Sequence, residues 1–511
     1  MDDSAISSNK RIAKNTLMLY LRMFLTMIVG FFTSRIVLQA LGVNDYGIFN
    51  LVGGIVVLIN VLTSSLSSTT SRFLSFEMGV ADKERLRETF SVAFMIHALF
   101  ALLVLILGET AGLWFVNNQL VIETNRILAA NCAYQAALLS TVLGIIQIPY
   151  LSNIIAHEKM GTFSYIEILS TSLKLIIALI VLHTDFDNLI LYSCLYAALS
   201  ISIMFVYRTY CVYKFQESHL KWKWNKALAM KMLSFSGWSL YANANDTICK
   251  QSINIILNRF FGTAINAAAG LALQVQAILY GFIGNISMAF NPQIVKEYAM
   301  GNYKRVNDLI CMGAKLSSTL TLIVSVPVIV NMKFLMELWL VEVPDNVVPI
   351  CQILLIYNFI NSFNPMMVFA INATGKVKWM CGFSGTLSLC NIIAGYVILC
   401  FTKSAPSVFV IFPGSTLLIC MFNIFLANRL IPSFNIREFS LHTLLPSVCI
   451  GFLSIFVCEL LKMVIYNVFL SLIATVIISV LVIVVSAYVF VLDSHSRNYI
   501  KSQFQIKILH I

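Results

Sequence analysis

Five polar side chains, Asn243, Asp246, Lys250, Asn254 and Asn258, recur at steps of three or four residues inside an apolar stretch. That spacing places them on one stripe of a helix, with Asp246 and Lys250 close enough to pair directly. The chemistry on offer is specific. A carboxylate could take a proton or Na+, an ammonium could hold an anion, and amides match the donors and acceptors of hydroxyl groups. An ionised group at mid-bilayer costs roughly 2.5 kcal/mol or more, so such residues face a wet cavity or a partner. The stripe therefore walls either a cavity or a buried polar interface between helices.

Three further cations lie well inside apolar runs, and Lys315 lies near the end of another. Arg22 and Arg35 sit about one and a half turns from the ends of the first run, where each could line a cavity or snorkel to a headgroup. Lys174 is central in the fifth run, with Glu167 seven residues back on a similar face. Gln274, Gln276 and Asn285 in the eighth run and the hydroxyl-rich stretch Thr63 to Ser71 extend the polar theme.

Other chemistries lack their residues. No G-x-x-x-x-G-K-[ST] phosphate loop occurs. The 12 cysteines form no C-x-x-C, and the 7 histidines show no metal-ligand spacing, so no metal site is expected. Asp185-Phe186-Asp187 resembles the acidic pair of a metal-using glycosyltransferase, but on so short a loop it reads as a solvated turn. No catalytic residues are visible, and we expect no enzyme.

The elements that position these groups follow from composition. Apolar residues make up 59% of the 511-residue chain, charged residues 11%, and mean hydropathy is +0.85. Soluble proteins carry about 25% charge. The chain is an integral membrane protein of the all-α class, since helix-length runs are present and ten-residue alternating strands are not. The first run, Leu17 to Leu41, is too long for a removed leader. Others follow at about 47–71, 90–116, 126–150, 163–183, 188–213, 232–258, 264–290, 310–331, 347–371, 380–401, 407–428, 442–464 and 469–492. That makes about 14 transmembrane helices.

Charge placement orients them. Of 34 Lys and Arg, 24 fall in alternate inter-helix segments and the two termini, five at the opposite ends and five within spans. This asymmetry predicts cytoplasmic termini, so the net charge of +11 reflects topology and not nucleic-acid binding.

The chain also echoes itself at an offset of about 220. Ser75 to Gly79 resembles Glu297 to Gly301, Leu41-Gly42 matches Phe261-Gly262, and Ile148-Pro149-Tyr150 meets Asn364-Pro365-Met366. Six spans per repeat is an even number, which predicts two parallel repeats. The expected organisation is a cytoplasmic N-terminus (1–16), an N-lobe (17–213), a cytoplasmic linker (214–231), a C-lobe (232–428), two extra helices (429–492) and a cytoplasmic tail (493–511). Pro149, Pro327 and Pro365 are expected to let helices bend.

With this 6+6+2 pattern, Leu41-Gly42-Val43-Asn44-Asp45-Tyr46-Gly47, the Phe76-Glu77-Met78-Gly79 run and the Ala156-His157-Glu158-Lys159-Met160-Gly161 loop, the chain resembles the polysaccharide-unit (O-antigen type) flippases. These belong to the multidrug/oligosaccharidyl-lipid/polysaccharide exporter superfamily. The 2–3 loop lacks the Asp-Arg-x-Gly-Arg pattern of major-facilitator transporters.

The resemblance implies a two-lobed, alternating-access transporter of the bacterial cytoplasmic (inner) membrane. Its cargo would be a polyprenyl-diphosphate-linked oligosaccharide for O-antigen, capsule or exopolysaccharide synthesis. Arg22, Arg35, Lys174 and Lys250 would then hold the diphosphate, and Asn243, Asn254, Gln274 and Asn285 the sugars. Asp246 is the candidate for ion coupling by H+ or Na+, with no other cofactor expected. The expected partners are the lipid-linked glycan, membrane lipid and polysaccharide polymerase machinery, with no nucleic acid, and a monomer suffices. A cation-coupled multidrug exporter of the same fold is the alternative, and a membrane-embedded glycan polymerase or ligase is more remote.

Overall fold

A computed structural model describes residues 3–57, 60–118, 123–340, 343–465 and 467–491. They form a short helix, Met332–Trp339, and fourteen long helical stretches. These are α1 (Arg11–Gly42), α2 (43–57 and 60–80), α3 (Lys83–Asn118), α4 (Thr124–Ala156), α5 (Met160–Leu182), α6 (Asn188–Lys214) and α7 (Lys226–Phe261). They continue as α8 (Thr263–Ala299), α9 (Tyr303–Val330), α10 (Val347–Asn361 with Asn364–Thr374), α11 (Lys378–Thr402), α12 (Ala405–Leu430), α13 (Ile436–Val464) and α14 (Val468–Val489). No strand occurs among the described residues.

Eleven helices are long and apolar enough to cross a membrane, and the bent α10 makes a twelfth. The remaining two have clear reasons for failing that test. α2 is interrupted by residues outside the description, and α7 spends much of its 36-residue length on polar side chains. Large apolar residues such as Phe401, Phe452, Met463 and Ile393 point outward, at 69–85% exposure. Hydroxyls such as Ser318, Ser447, Ser454, Thr475 and Ser479 are buried between helices. Lipid as the solvent explains this inversion, because small residues let helix backbones approach closely.

The chain divides into two compact units, Met1–Asn243 and Ala244–Ile511, with the boundary inside α7. In the first unit α4 packs against α2, α3 and α6, and α5 against α1 and α6. In the second, α10 packs against α8, α9 and α12, and α11 against α12. The packing of α4 on α2, α3 and α6 and of α5 on α6 recurs six helices later, whereas the close α1–α5 packing of the first unit has no equally close α7–α11 counterpart among the described residues. α13 and α14 pack on each other and on α9. Ser318 and Ser447 hydroxyls meet at 3.0 Å there, Asn331 donates to Thr475 at 2.8 Å, and Lys462 caps the Val330 carbonyl at 2.7 Å.

Backbone conformation repeats too. Gly42 (φ 73, ψ 171) separates α1 from α2, and Gly262 (φ 78, ψ −168) separates α7 from α8. This region of φ/ψ space is essentially open to glycine alone. Ala81 and Gly301, then Glu158 and Gly375, form two further positive-φ pairs at corresponding loops. The backbone thus aligns Ala81 with Gly301, two residues away from the Met-Gly echo in the sequence. A helix end is set by which residue turns left-handed, not by which letters recur.

The prolines sit in two kinds of place. α4 and α9 run as unbroken helices through Pro149 and Pro327, whereas α10 is bent by 42° just before Pro365. Pro365 stands at the start of the second α10 segment, where its missing N–H costs nothing.

Candidate functional site

In the second unit, α7, α8 and α10 assemble a polar wall. Lys250 Nζ donates to Asp246 Oδ2 at 2.7 Å, and both side chains keep nearly half their surface accessible, 42% and 49%. The four-residue spacing brings the ammonium and the carboxylate directly together on one helix face. Tyr280 on α8 and Tyr357 on α10 lie within electrostatic reach of Asp246, and Tyr280 also hydrogen-bonds Asn361. Beside them Gln276 Nε2 donates to Asn358 Oδ1 at 2.7 Å, while Asn358 Nδ2 returns a bond to the Gln276 carbonyl at 3.0 Å. This reciprocal amide pair locks α8 to α10, and Asn358 is fully buried.

In the first unit the cations stand on different walls. Arg22 of α1 lies over the Phe163 ring at 4.6 Å and interacts electrostatically with Glu167 and Tyr207. Tyr207 in turn donates to Glu167 Oε1 at 3.0 Å. Lys174, two turns further along α5, places its ammonium 5.5 Å from the Tyr196 ring, which packs with Tyr192 and Phe49. Each cation–π contact is worth about 0.5–2 kcal/mol, depending on desolvation. Arg35 is exposed on α1.

The expected sugar-binding amides are distributed. Asn243 donates to Ser65 Oγ of α2 at 3.0 Å, and Ser236 bonds Thr69 one step along the same contact. These bonds fix the first turns of α7 to the hydroxyl-rich face of α2. Asn254 lies at the α7–α8 corner, where its carbonyl accepts from Asn266 Nδ2 at 2.9 Å. Asn258 donates to Asn266 Oδ1 at 3.3 Å there. Asn285 is buried, and Gln274 is exposed on the side of α8 away from Gln276. Sequence reasoning missed Tyr280, Tyr357, Asn358 and Asn361. The available signal was the run of asparagines at steps of three, Asn358, Asn361 and Asn364, in a mostly apolar α10.

The Asp185–Asp187 motif has a structural role. Asp187 caps α6 by accepting from the Ile190 N–H at 3.1 Å, and Arg126 bridges it to Asp45. Burial works against ionisation of Asp187, but the Arg126 and Ile190 hydrogen bonds outweigh it and hold the carboxyl below its usual range. Among the described residues, no group of three or more His, Cys, Asp or Glu is placed to hold a metal ion.

Residues 239–397, which contain the α7, α8 and α10 wall, match the MatE family model. A crystal structure of MATE in complex with MaD3S superposes with a TM-score of 0.72 at 12% identity, covering 84% of this chain and 97% of that one. The fold is that of the MATE transporters. A variant of the Vibrio cholerae MATE transporter VcmN gives 0.69 at 16% identity, covering 85% and 99%. A MOP superfamily transporter from Pyrococcus furiosus, described as having a binding pocket of reverse polarity, gives 0.70 at 11%, covering 83% and 96%. The MATE structures are covered almost whole, while part of this longer chain lies outside each match. No curated protein matches by sequence. Together the matches give the fold of a multi-pass membrane protein and a MatE-like segment at 239–397.

Proposed function

We propose that this chain is a flippase. It moves polyprenyl-diphosphate-linked oligosaccharide units from the inner to the outer leaflet of the cytoplasmic membrane by alternating access, for surface polysaccharide synthesis. The observation that supports this reading is the set of cations within the spans, which with Lys315 near a span end equal or outnumber the acidic Glu109, Glu167, Asp246 and Glu459. Arg22, Arg35, Lys174 and Lys250 stand in helices that also carry amide, hydroxyl and tyrosine groups. A diphosphate needs cations in a medium of low dielectric, and sugars need neutral donors and acceptors. The cargo's prenyl chain can remain in lipid.

A cation-coupled multidrug exporter is the second reading, and a specific observation favours it. A multidrug resistance MATE transporter in an outward-facing conformation is an equally good structural match, with a TM-score of 0.71 at 12% identity. Such an exporter would bind organic cations with acidic and aromatic groups. The Pyrococcus transporter, with its pocket of reverse polarity, is a member of the same superfamily for which a different function has been suggested. The intramembrane cations here favour an anionic cargo.

The deciding experiment is to delete the gene and extract the polyprenyl-linked glycans. Single units trapped on the cytoplasmic face are the expected result. Units on the outer face would point to a polymerase or ligase, and no accumulation with altered resistance to organic cations would establish the exporter. Fusion reporters at Asn118 and Asn225 test the sidedness: outside for the first, cytoplasmic for the second.

A further inference from the structure

The segment that joins α6 to α7 dips towards the bilayer. The His219 carbonyl accepts from Arg87 Nε at 2.7 Å, and the Lys221 N–H donates to Ser91 Oγ at 3.0 Å. Arg87 and Ser91 are one turn apart on α3, so the segment follows that helix inwards. Ser91 stands at the start of the apolar run of α3. Lys221 and Trp222 are thereby set where headgroups give way to hydrocarbon. Beyond them Asn225 donates to Glu88 at 3.0 Å, so the chain has turned back before α7 starts at Lys226.

At that level the side chains separate by chemistry. Lys221 turns its ammonium away from the apolar run, to Glu84 in the first turn of α3. The Lys223 N–H donates to the Lys221 carbonyl at 2.7 Å, closing a three-residue turn with Trp222 at its apex. Trp222 is left 79% exposed and Trp224 46%. The neighbouring acids are already engaged: Glu217 is buried against His157, Glu84 pairs with Lys221, and Glu88 accepts from Asn225. Lys223 and Lys226 are exposed and form no ion pair among the described residues.

We propose that Trp222, Trp224, Lys223 and Lys226 form a headgroup site for an anionic phospholipid of the bilayer. An indole favours this depth because its ring is apolar and its N–H needs an acceptor, which the ester and phosphate oxygens of a lipid supply. The two lysines add the attraction for a headgroup of net negative charge. The bonds to α3 hold the segment from its other side, so the lipid meets a preorganised surface and the α6–α7 connection is held at the membrane boundary. The site is independent of the cargo and of the flippase reading.

The test is fluorescence quenching of the full chain in phosphatidylcholine vesicles, with Trp222 as the only tryptophan and Phe in place of the other five. Should that form fail to fold, the difference between wild type and Trp222→Phe isolates the same signal. Phosphatidylcholine brominated near the headgroup end of its chains should quench Trp222 about twofold, and more than lipid brominated near the methyl ends. Aqueous acrylamide should have little effect. Brominated phosphatidylglycerol, as a minor component, should be preferred about fivefold over brominated phosphatidylcholine. Lys223→Gln with Lys226→Gln should remove that preference while the depth of the indole stays the same. Quenching by acrylamide and by neither brominated lipid would place the indole in water and overturn the site. Equal quenching by the two headgroups, or a preference that survives loss of both lysines, would overturn its assignment to an anionic lipid.

Discussion

The corner between α1 and α2 and the corner between α7 and α8 solve the same backbone problem with different chemistry. Both turn on a glycine in a conformation closed to other residues. In the first unit the corner is tied to distant helices. Arg126 at the start of α4 reaches Asp45, three residues past Gly42, and Asp187 at the start of α6, and Asn188 donates to the Ala40 carbonyl at 2.7 Å. In the second unit the corner is closed by its own amides, Asn266 with Asn254 and Asn258. A bidentate, charge-assisted clamp spanning three helices resists displacement far more than neutral bonds within one hairpin. The paired charges of the second unit, Asp246 and Lys250, lie on a helix that ends at this softer corner.

The first unit also fixes the segment that leads out of it. Glu217 and Ser218 are buried; His157 Nε2 meets Glu217 at 2.5 Å, and Asn153 donates to Ser218 at 3.1 Å. Further along, Lys221 pairs with Glu84 and Asn225 donates to Glu88 at 3.0 Å. What composition reads as a linker is held, almost residue by residue, against the first unit.

The contrast can be broken most directly at Arg126. Arg126→Ala leaves two carboxylates facing each other without their cation, and should cost about 3 kcal/mol, read as a lowered midpoint of unfolding in detergent. A loss no larger than that of Asn266→Ala would end the distinction between the corners. Next come Gly42→Ala and Gly262→Ala. A Cβ at either position meets nothing within 4 Å, so the cost is backbone strain alone, about 1–3 kcal/mol and similar for both. Unequal losses would show that the corners are not equivalent in conformation. Asn266→Ala removes neutral hydrogen bonds and should cost about 1 kcal/mol in the same assay.

The smallest effect is in pH. Because the Asp187 carboxyl is held below its ordinary value of 3.8, its contribution is fully present above that value and is lost as pH falls through the lower folded-state value. The stability advantage of wild type over Asp187→Asn should therefore be constant near neutrality and shrink only in acid below the ordinary carboxylate range. An advantage that shrinks between pH 7 and 5 would assign the effect to another group.

Much of this protein was legible from its letters because the bilayer imposes a demanding code. Every span must satisfy its own backbone and cover about 30 Å of hydrocarbon, so most of the helices appear in hydropathy alone, and the residue echoes at an offset of about 220 point to the six-helix period. The α7 stripe was equally legible, since spacing of three and four fixes a helix face, and the Asp246–Lys250 bond follows from it. Contacts between helices were not. Tyr280, Tyr357 and Asn358 come together from helices far apart along the chain, and each looks unremarkable within its own helix. The same is true of Arg126, which reads as one more charge at a span end until Asp45 and Asp187 are seen on either side of it.

By itself the sequence determined the membrane class, the helical elements, their repeat and which helix carries charge into the bilayer, because these depend on local composition and on periodicity along one chain. Only the tertiary structure decided which charges are neutralised, which corner is clamped and which tyrosines face Asp246, because those depend on side chains brought together from helices remote in sequence, whose approach is set by packing.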